Sequence, residues 1–140
     1  MTEAIGSAGM MEIPIVAINV QRAGPSTGVP TKTEQGDLWQ ALGASQGDFP
    51  KIIVAPTGIL DCFNTIPELF NLVDKFQCPG IVISDLSLAE GYATVDPDDI
   101  NWEQPIDRGA LITEPRSIDR GGRYERYKIT ESGISPRALP

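Results

Sequence analysis

Three uninterrupted apolar runs of strand length set the frame for this chain: PIVAINV at 14–20, KIIVAP at 51–56 and GIVISD at 80–85. A strand with one wet face alternates polar and apolar residues, whereas a run without that alternation has to be covered on both faces. Helical patterns separate the runs. Ile66, Leu69, Phe70, Val73 and Phe76 recur at three- and four-residue steps, which predicts an amphipathic helix over 66–77, with Thr65 as its cap and Pro67 and Glu68 in its first turn. A shorter helix is predicted within 37–45, starting near Asp37. Residues 2–12 read as a helix rich in small residues (Ala4, Gly6, Ala8, Gly9), able to approach a neighbour closely but weak alone. Buried strands alternating with helices place the chain in the α/β class, as a doubly wound, mostly parallel sheet with right-handed crossovers. Trp39, Phe63, Phe70 and Phe76 are expected in its core.

From about residue 93 the pattern lapses. Asp96, Pro97, Asp98, Asp99, Pro105 and Gly109 mark a polar connection. Arg116, Arg120, Arg123 and Arg126 follow, cations that could meet a partner's carboxylates or simply face solvent. YERYKI at 124–129 suggests one short strand, and the ending offers no element that closes a core. The expected organisation is a partial domain over 1–95, with 96–140 as a linker and the start of a following domain, an irregular C-terminal arm.

Composition removes several chemistries. The 140 residues contain no histidine, which excludes His-based triads and His-ligated zinc. Two cysteines, Cys62 and Cys78, are too few for a disulfide scaffold or a cluster, and read as buried free thiols. A formal net charge of −8 argues against nucleic acid as a partner. No apolar run reaches the ~18 residues of a membrane span, and the start is not a signal peptide, so no membrane role and a cytoplasmic location are expected.

Ligand sites in open α/β sheets lie in the loops at the carboxyl ends of the strands. The loop after the first run, QRAGPSTGVPTKTEQG at 21–36, is the longest and least ordinary. Gly24 and Gly28 allow positive φ and close backbone approach, Pro25 and Pro30 stiffen the loop, and Ser26, Thr27 and Thr31 offer hydroxyls. Successive amides near Gly24 and Gly28 could form a concave anion site. Arg22, just past the strand, has the planar fork that grips a carboxylate through two parallel hydrogen bonds. A structural turn with Arg22 in a surface ion pair fits the same residues. GPSTG lacks the dinucleotide and Walker spacings. Of the acids Asp37, Asp61, Asp85 and Glu90, the first two suit helix starts, and Asp85 ends a strand facing the presumed ligand edge.

The stretch MEIPIVAINVQRAGPSTGVPTKTEQGDLWQAL at 11–42 resembles the alpha subunit of 2-oxoacid:ferredoxin oxidoreductases, the 2-oxoglutarate synthase type in particular. KIIVAP with DCF at 61–63, FNLVDKFQCPGIVISDL at 70–86 and RYKITESGISPR at 126–137 follow in the family's order. The resemblance implies an incomplete domain similar to a thiamine-diphosphate pyrimidine-binding domain. It implies oxidative decarboxylation of a 2-oxoacid, 2-oxoglutarate foremost, to an acyl-CoA with reduction of ferredoxin. Which acid is used, pyruvate and branched-chain acids included, is left open. Thiamine diphosphate and magnesium would be held mainly by a beta subunit, with an iron–sulfur cluster in a partner subunit. Beta, gamma and delta subunits, ferredoxin and coenzyme A are the expected partners. Arg22 matches the family arginine that pairs with the substrate carboxylate, and Gly24, Ser26, Thr27, Gly28 and Thr31 would shape the same pocket. No catalytic residue or metal ligand carries over. The family's cofactor-activating glutamate and a YPITP-like segment precede the matched region, so this chain alone is expected to be inactive. The alternative is a catalytically silent binding or subunit-assembly module derived from the same family.

Overall fold

A computed structural model describes residues 1–113 and 124–138. The three apolar runs form β1 (Val16–Gln21), β2 (Ile52–Val54) and β3 (Gly80–Asp85), a parallel sheet in the order β1-β3-β2. The central β3 aligns Ala17, Asn19 and Gln21 with Ile81, Ile83 and Asp85 on one face, and Val16, Ile18 and Val20 with Gly80, Val82 and Ser84 on the other. Period-two alternation therefore makes two cores. One joins Ile81 and Ile83 to Ile5 of α1 (Thr2–Met11) and to Ala41, which lies in α2 (Leu38–Leu42), with Ala44 just beyond it. The other joins Val82 to Leu69 and Val73 of α3 (Ile59–Phe76). Helices thus cover both faces, as the unbroken apolar runs require.

The small residues of α1 let it approach the 45–49 segment. A Cβ at Gly6 would lie 1.9 Å from Ser45 Oγ, and one at Gly9 would lie 2.5 Å from the Phe49 ring. The helix ends at Glu12 in the left-handed conformation, where the Ile13 N–H donates to Ala8 O at 2.9 Å and the Glu12 N–H to Gly9 O at 3.2 Å. This pair of bonds satisfies two carbonyls that a helix end leaves without partners.

Several sequence expectations are corrected. The helix expected over 66–77 begins at Ile59, with Gly58 as its cap, and Pro67 lies inside it. Thr65 does not cap it; its hydroxyl donates to Asp61 Oδ1 at 3.0 Å. An interior proline costs a helical hydrogen bond and about 3 kcal/mol. Burial of Ile66, Leu69 and Val73 on the sheet offsets that cost. Asp61 holds the true start by accepting from the Thr57 N–H at 2.7 Å and its hydroxyl at 3.0 Å. The four aromatics are not core: Trp39 is 81% exposed, and Phe63, Phe70 and Phe76 are 41–51% exposed. Ala41 and Ala44 take the sheet-facing side of the α2 region, which turns Trp39 outward. Leu69 and Val73 do the same on α3, leaving Phe63 on the flank against Trp102, ring centroids 5.6 Å apart.

The C-terminal arm packs on this chain. Asn71 Nδ2 donates to Pro105 O at 2.7 Å, and the Asp107 N–H donates to Asn71 Oδ1 at 2.8 Å, fastening the arm to the outer side of α3. Residues 124–129 form turns rather than the expected strand. Arg126 there donates from Nη2 to Glu12 O at 2.9 Å and to Gln77 Oε1 at 2.7 Å, and pairs with the Glu12 carboxylate. It therefore sits where α1 and α3 both end, a position that suits a cation because of the helix dipoles. At the chain's end β5 (Arg137–Ala138) pairs in parallel with β4 (Leu111–Ile112), a two-stranded sheet that contributes to neither core. Arg116, Arg120 and Arg123 lie outside the described residues. Among the described residues no helix is long and apolar enough to cross a membrane.

Among the described residues β1 pairs on one side only, and its Ile18 and Val20 are 60% and 44% exposed. A strand edge of this kind is a template for pairing with another chain. The 140-residue chain expressed by itself is therefore expected to self-associate with rising concentration in sedimentation velocity. A species that stays monomeric with a cooperative melt would contradict that.

Candidate functional site

At the carboxyl edge of the sheet, Gln21 of β1 and Asp85 of β3 are register partners. Arg22 follows directly. It is exposed, and no carboxylate pairs with it among the described residues. The loop that it opens closes on itself. The Ala23 N–H donates to Lys32 O, the Val29 N–H to Ala23 O and the Lys32 N–H to Val29 O, each at 3.1 Å. Ala23 and Val29 form an antiparallel bridge across this neck, and the segment Gly24, Pro25, Ser26, Thr27, Gly28 forms the tip. The Gly24–Pro25 peptide is cis, and Ser26 and Gly28 have φ of 53° and 51°. Gly28 has no room for a side chain: a Cβ would lie 2.0 Å from Ala23 O. The hydroxyl-bearing Ser26, Thr27 and Thr31 are exposed beside Arg22 in sequence. Of the amides expected to form an anion site, that of Gly24 faces the chain's own Glu34 Oε2 at 3.3 Å.

The exit of the loop is tied to the sheet by amide side chains that the sequence reading did not single out. Gln35 Nε2 donates to Asp85 Oδ2. Gln21, buried, accepts the Asp37 N–H through Oε1 at 2.9 Å, and Asn19 Nδ2 donates to Asp37 Oδ2 at 2.9 Å. Asp37 stands at the start of α2, yet its side chain makes no capping hydrogen bond there, which corrects the role expected for it. The one available signal was an asparagine and a glutamine interrupting an apolar strand just before the loop.

Asp85 accepts the Leu88 N–H through Oδ1 at 2.7 Å and so caps α4 (Leu86–Glu90). That backbone bond, followed by the Gln35 amide, lowers the carboxyl below its ordinary pKa. Asp61 is lowered in the same direction by Thr57 and then Thr65. A depressed carboxylate contributes its anchoring above the ordinary carboxylate pKa, and loses it only as pH falls through the lowered value. Both anchors are intact at neutral pH. Burial, with Asp61 adding to it at Cys62, pushes both thiols up, so neither is a ready nucleophile. Among the described residues no three His, Cys, Asp or Glu side chains converge as a metal site, and Glu90 is exposed at the end of α4. A groove of about 590 Å³ lies at the other end of the sheet, away from Arg22, between apolar Ile13, Pro14, Phe70 and Ile106 and the charged Asp74, Arg108 and Arg137. The strand-end arrangement offers an exposed guanidinium that makes no ion pair among the described residues, the chemistry that suits an organic anion. It supplies no histidine or reactive thiol to move a proton or form a covalent bond.

Residues 1–117 match the family described as "Pyruvate flavodoxin/ferredoxin oxidoreductase, thiamine diP-bdg". The chain is similar to the 2-oxoacid:ferredoxin oxidoreductase 1 alpha subunit of Sulfurisphaera tokodaii, 38% identical over 99% of this chain and 22% of that one. It is 43% identical to the 2-oxoglutarate oxidoreductase subunit KorA of Mycobacterium tuberculosis over 75% of this chain and 16% of that one. Among solved structures, it is similar to a 2-oxoglutarate:ferredoxin oxidoreductase from Magnetococcus marinus with 2-oxoglutarate, coenzyme A and succinyl-CoA bound. The TM-score is 0.81 at 39% identity, covering 100% of this chain and 23% of that one. The chain spans roughly a fifth of the length of these relatives.

Proposed function

The chain belongs to the pyruvate flavodoxin/ferredoxin oxidoreductase family, thiamine diphosphate-binding, and from that premise we propose that it forms part of the alpha subunit of a 2-oxoacid:ferredoxin oxidoreductase acting on 2-oxoglutarate. In this reading residues 1–95 are part of the domain on the pyrimidine side of the cofactor, and 96–140 lead from it towards a following domain. The complex decarboxylates the acid oxidatively, reduces ferredoxin and releases an acyl-CoA.

The observation that carries the reading is Arg22, exposed at the carboxyl end of β1, without an internal carboxylate partner among the described residues, on a loop whose neck is hydrogen-bonded shut. Its backbone is fixed between β1 and the closed neck, which places the guanidinium at the strand-end edge where it can orient a carboxylate, and a positioned group lowers a barrier without doing chemistry. Ser26, Thr27 and Thr31 supply hydroxyls on the same loop, and Gly28, where a Cβ would strike Ala23 O, keeps the loop tip narrow.

Thiamine diphosphate, when bound, supplies the electron sink for decarboxylation. The residues here suit an organic acid better than the cofactor's diphosphate and magnesium, since no metal-ligating group of three forms among the described residues. By the resemblance to the family, we assign the diphosphate, its magnesium and an iron–sulfur cluster to a beta subunit or other partner chains. This chain's part is to orient the substrate and help exclude water.

The test is to co-express the complete alpha subunit with its beta subunit and to follow viologen reduction with CoA and a panel of 2-oxoacids. Reduction dependent on 2-oxoglutarate and CoA, with the highest kcat/KM in the panel, is expected. No reduction with any acid would favour a silent assembly module instead.

A further inference from the structure

We propose that Asp85 is a positioning residue which, through Gln35, latches the Arg22 loop to the end of β3 and couples it to the loop that α4 begins. The inference rests on the reading of Arg22 given above. Neither Asp85 nor Gln35 has to touch the substrate.

The geometry divides one carboxylate between two tasks. Oδ1 accepts the Leu88 N–H at 2.7 Å and fixes the first turn of α4. Oδ2 accepts Nε2 of Gln35, fifty residues away in sequence, at the exit of the loop. At the loop's entry, β1 is bonded to β3 through Gln21, the register partner of Asp85. Gln21 also accepts the Asp37 N–H beyond the loop. The loop is thus held at both ends, but differently. Its entry continues a strand and its neck is closed by backbone bonds, whereas its exit depends on side chains. Gln35 itself is exposed, and its side chain donates to Asp85. Loss of the Asp85 contact should therefore loosen the exit without unfolding the sheet, and let Arg22 sample more orientations.

The substitution Gln35→Glu isolates this contact. It leaves Asp85 in place to cap α4 and sets two carboxylates against each other across the latch. Asp85→Asn alone is a milder probe, because the Gln35 amide can turn its Oε1 towards the amide at position 85 and keep a neutral hydrogen bond. In the double variant Asp85→Asn/Gln35→Glu the partners exchange roles: the side-chain amide at position 85 donates to the carboxylate at position 35, and asparagine caps helices about as well as aspartate, so α4 keeps its start. In the complete alpha subunit assembled with its beta subunit, Q35E should raise KM for the 2-oxoacid about fivefold to tenfold with kcat little changed, the effect reaching the substrate only through Arg22. The double variant should recover most of that loss. Amide hydrogen exchange at Ala23, Val29 and Lys32, whose N–H groups close the loop, should accelerate in Q35E and slow again in the double variant. This readout needs no substrate and separates the latch from the role of Arg22: altered exchange with no change in KM would uphold the latch and reject Arg22 as the substrate clamp. Unchanged exchange in Q35E overturns the latch. So does a raised KM that the double variant fails to restore, since position 35 would then act by some route other than Asp85.

Discussion

Replacing Arg22 by alanine in the complete complex is expected to raise KM for the 2-oxoacid by about a hundredfold while kcat stays within a few fold. Hydrogen bonds to charged groups contribute about 1.5–3 kcal/mol each, and a bidentate arginine makes two, part of which is given back as desolvation. A net loss near 2.7 kcal/mol corresponds to that hundredfold. The effect should fall on KM where Arg22 grips the distal carboxylate of 2-oxoglutarate, which is not the one lost as carbon dioxide and so is held about equally before and during the reaction; a grip on the departing carboxylate would lower kcat instead. Arg22→Lys should recover only part of the loss, as an ammonium keeps the charge but not the planar fork. Neither change should disturb folding, since Arg22 is exposed and makes no ion pair among the described residues. Steady-state kinetics with two acids of different length, together with a melting curve, check all of this. Unchanged KM with a normal melt removes Arg22 from the site and with it the main support for the proposed function.

The strands were legible because burial on both faces leaves a mark that local sequence carries by itself: GIVISD has no wet position until its end. The start of α3 was not. Pro67 suits a first helical turn so well that the turns before it were overlooked, although Gly58 caps them and Asp61 reaches back to Thr57. The aromatics misled for a different reason. Hydrophobicity says that a side chain gains from cover, not that this chain provides it, and with alanines facing the sheet near α2, Trp39 is left outside. At the site, the glycines and prolines around Arg22 announced an unusual loop because their backbone preferences are local. Its tethers were silent. Gln35 meets Asp85 only because β3 is inserted between β1 and β2, which sets Gln21 against Asp85, and no local pattern encodes that insertion. The docking of the arm was silent for the same reason, since Arg126 and Arg137 find partners far from them in sequence.

Asp74 should prove the most destabilising charged residue to remove. It lies in the last turns of α3, where the helix dipole disfavours a negative charge, and it is 7% exposed. Two arginines of the C-terminal arm resolve this: Arg137, itself 9% exposed, on Oδ1, and Arg108 on Oδ2 at 2.6 Å. Truncating one partner of a buried pair costs about 3–5 kcal/mol because the other charge stays buried without compensation. Asp74→Ala does this to Arg137, whose Nε already lacks a hydrogen-bond partner among the described residues, so the full range is expected. Arg137→Met should cost less, about 2 kcal/mol, since Arg108 can still neutralise Asp74. Arg108→Ala should cost under about 1 kcal/mol, because its side chain is 55% exposed and its charge is screened by water. Asp74→Leu with Arg137→Met should recover most of the loss seen in Asp74→Ala, as apolar replacement of a whole buried pair is often neutral. Denaturant melts of the four variants of the complete subunit check the order. Equal losses for Asp74→Ala and Arg108→Ala would mean that the arm is not docked on α3, and that residues 124–138 take their order from elsewhere.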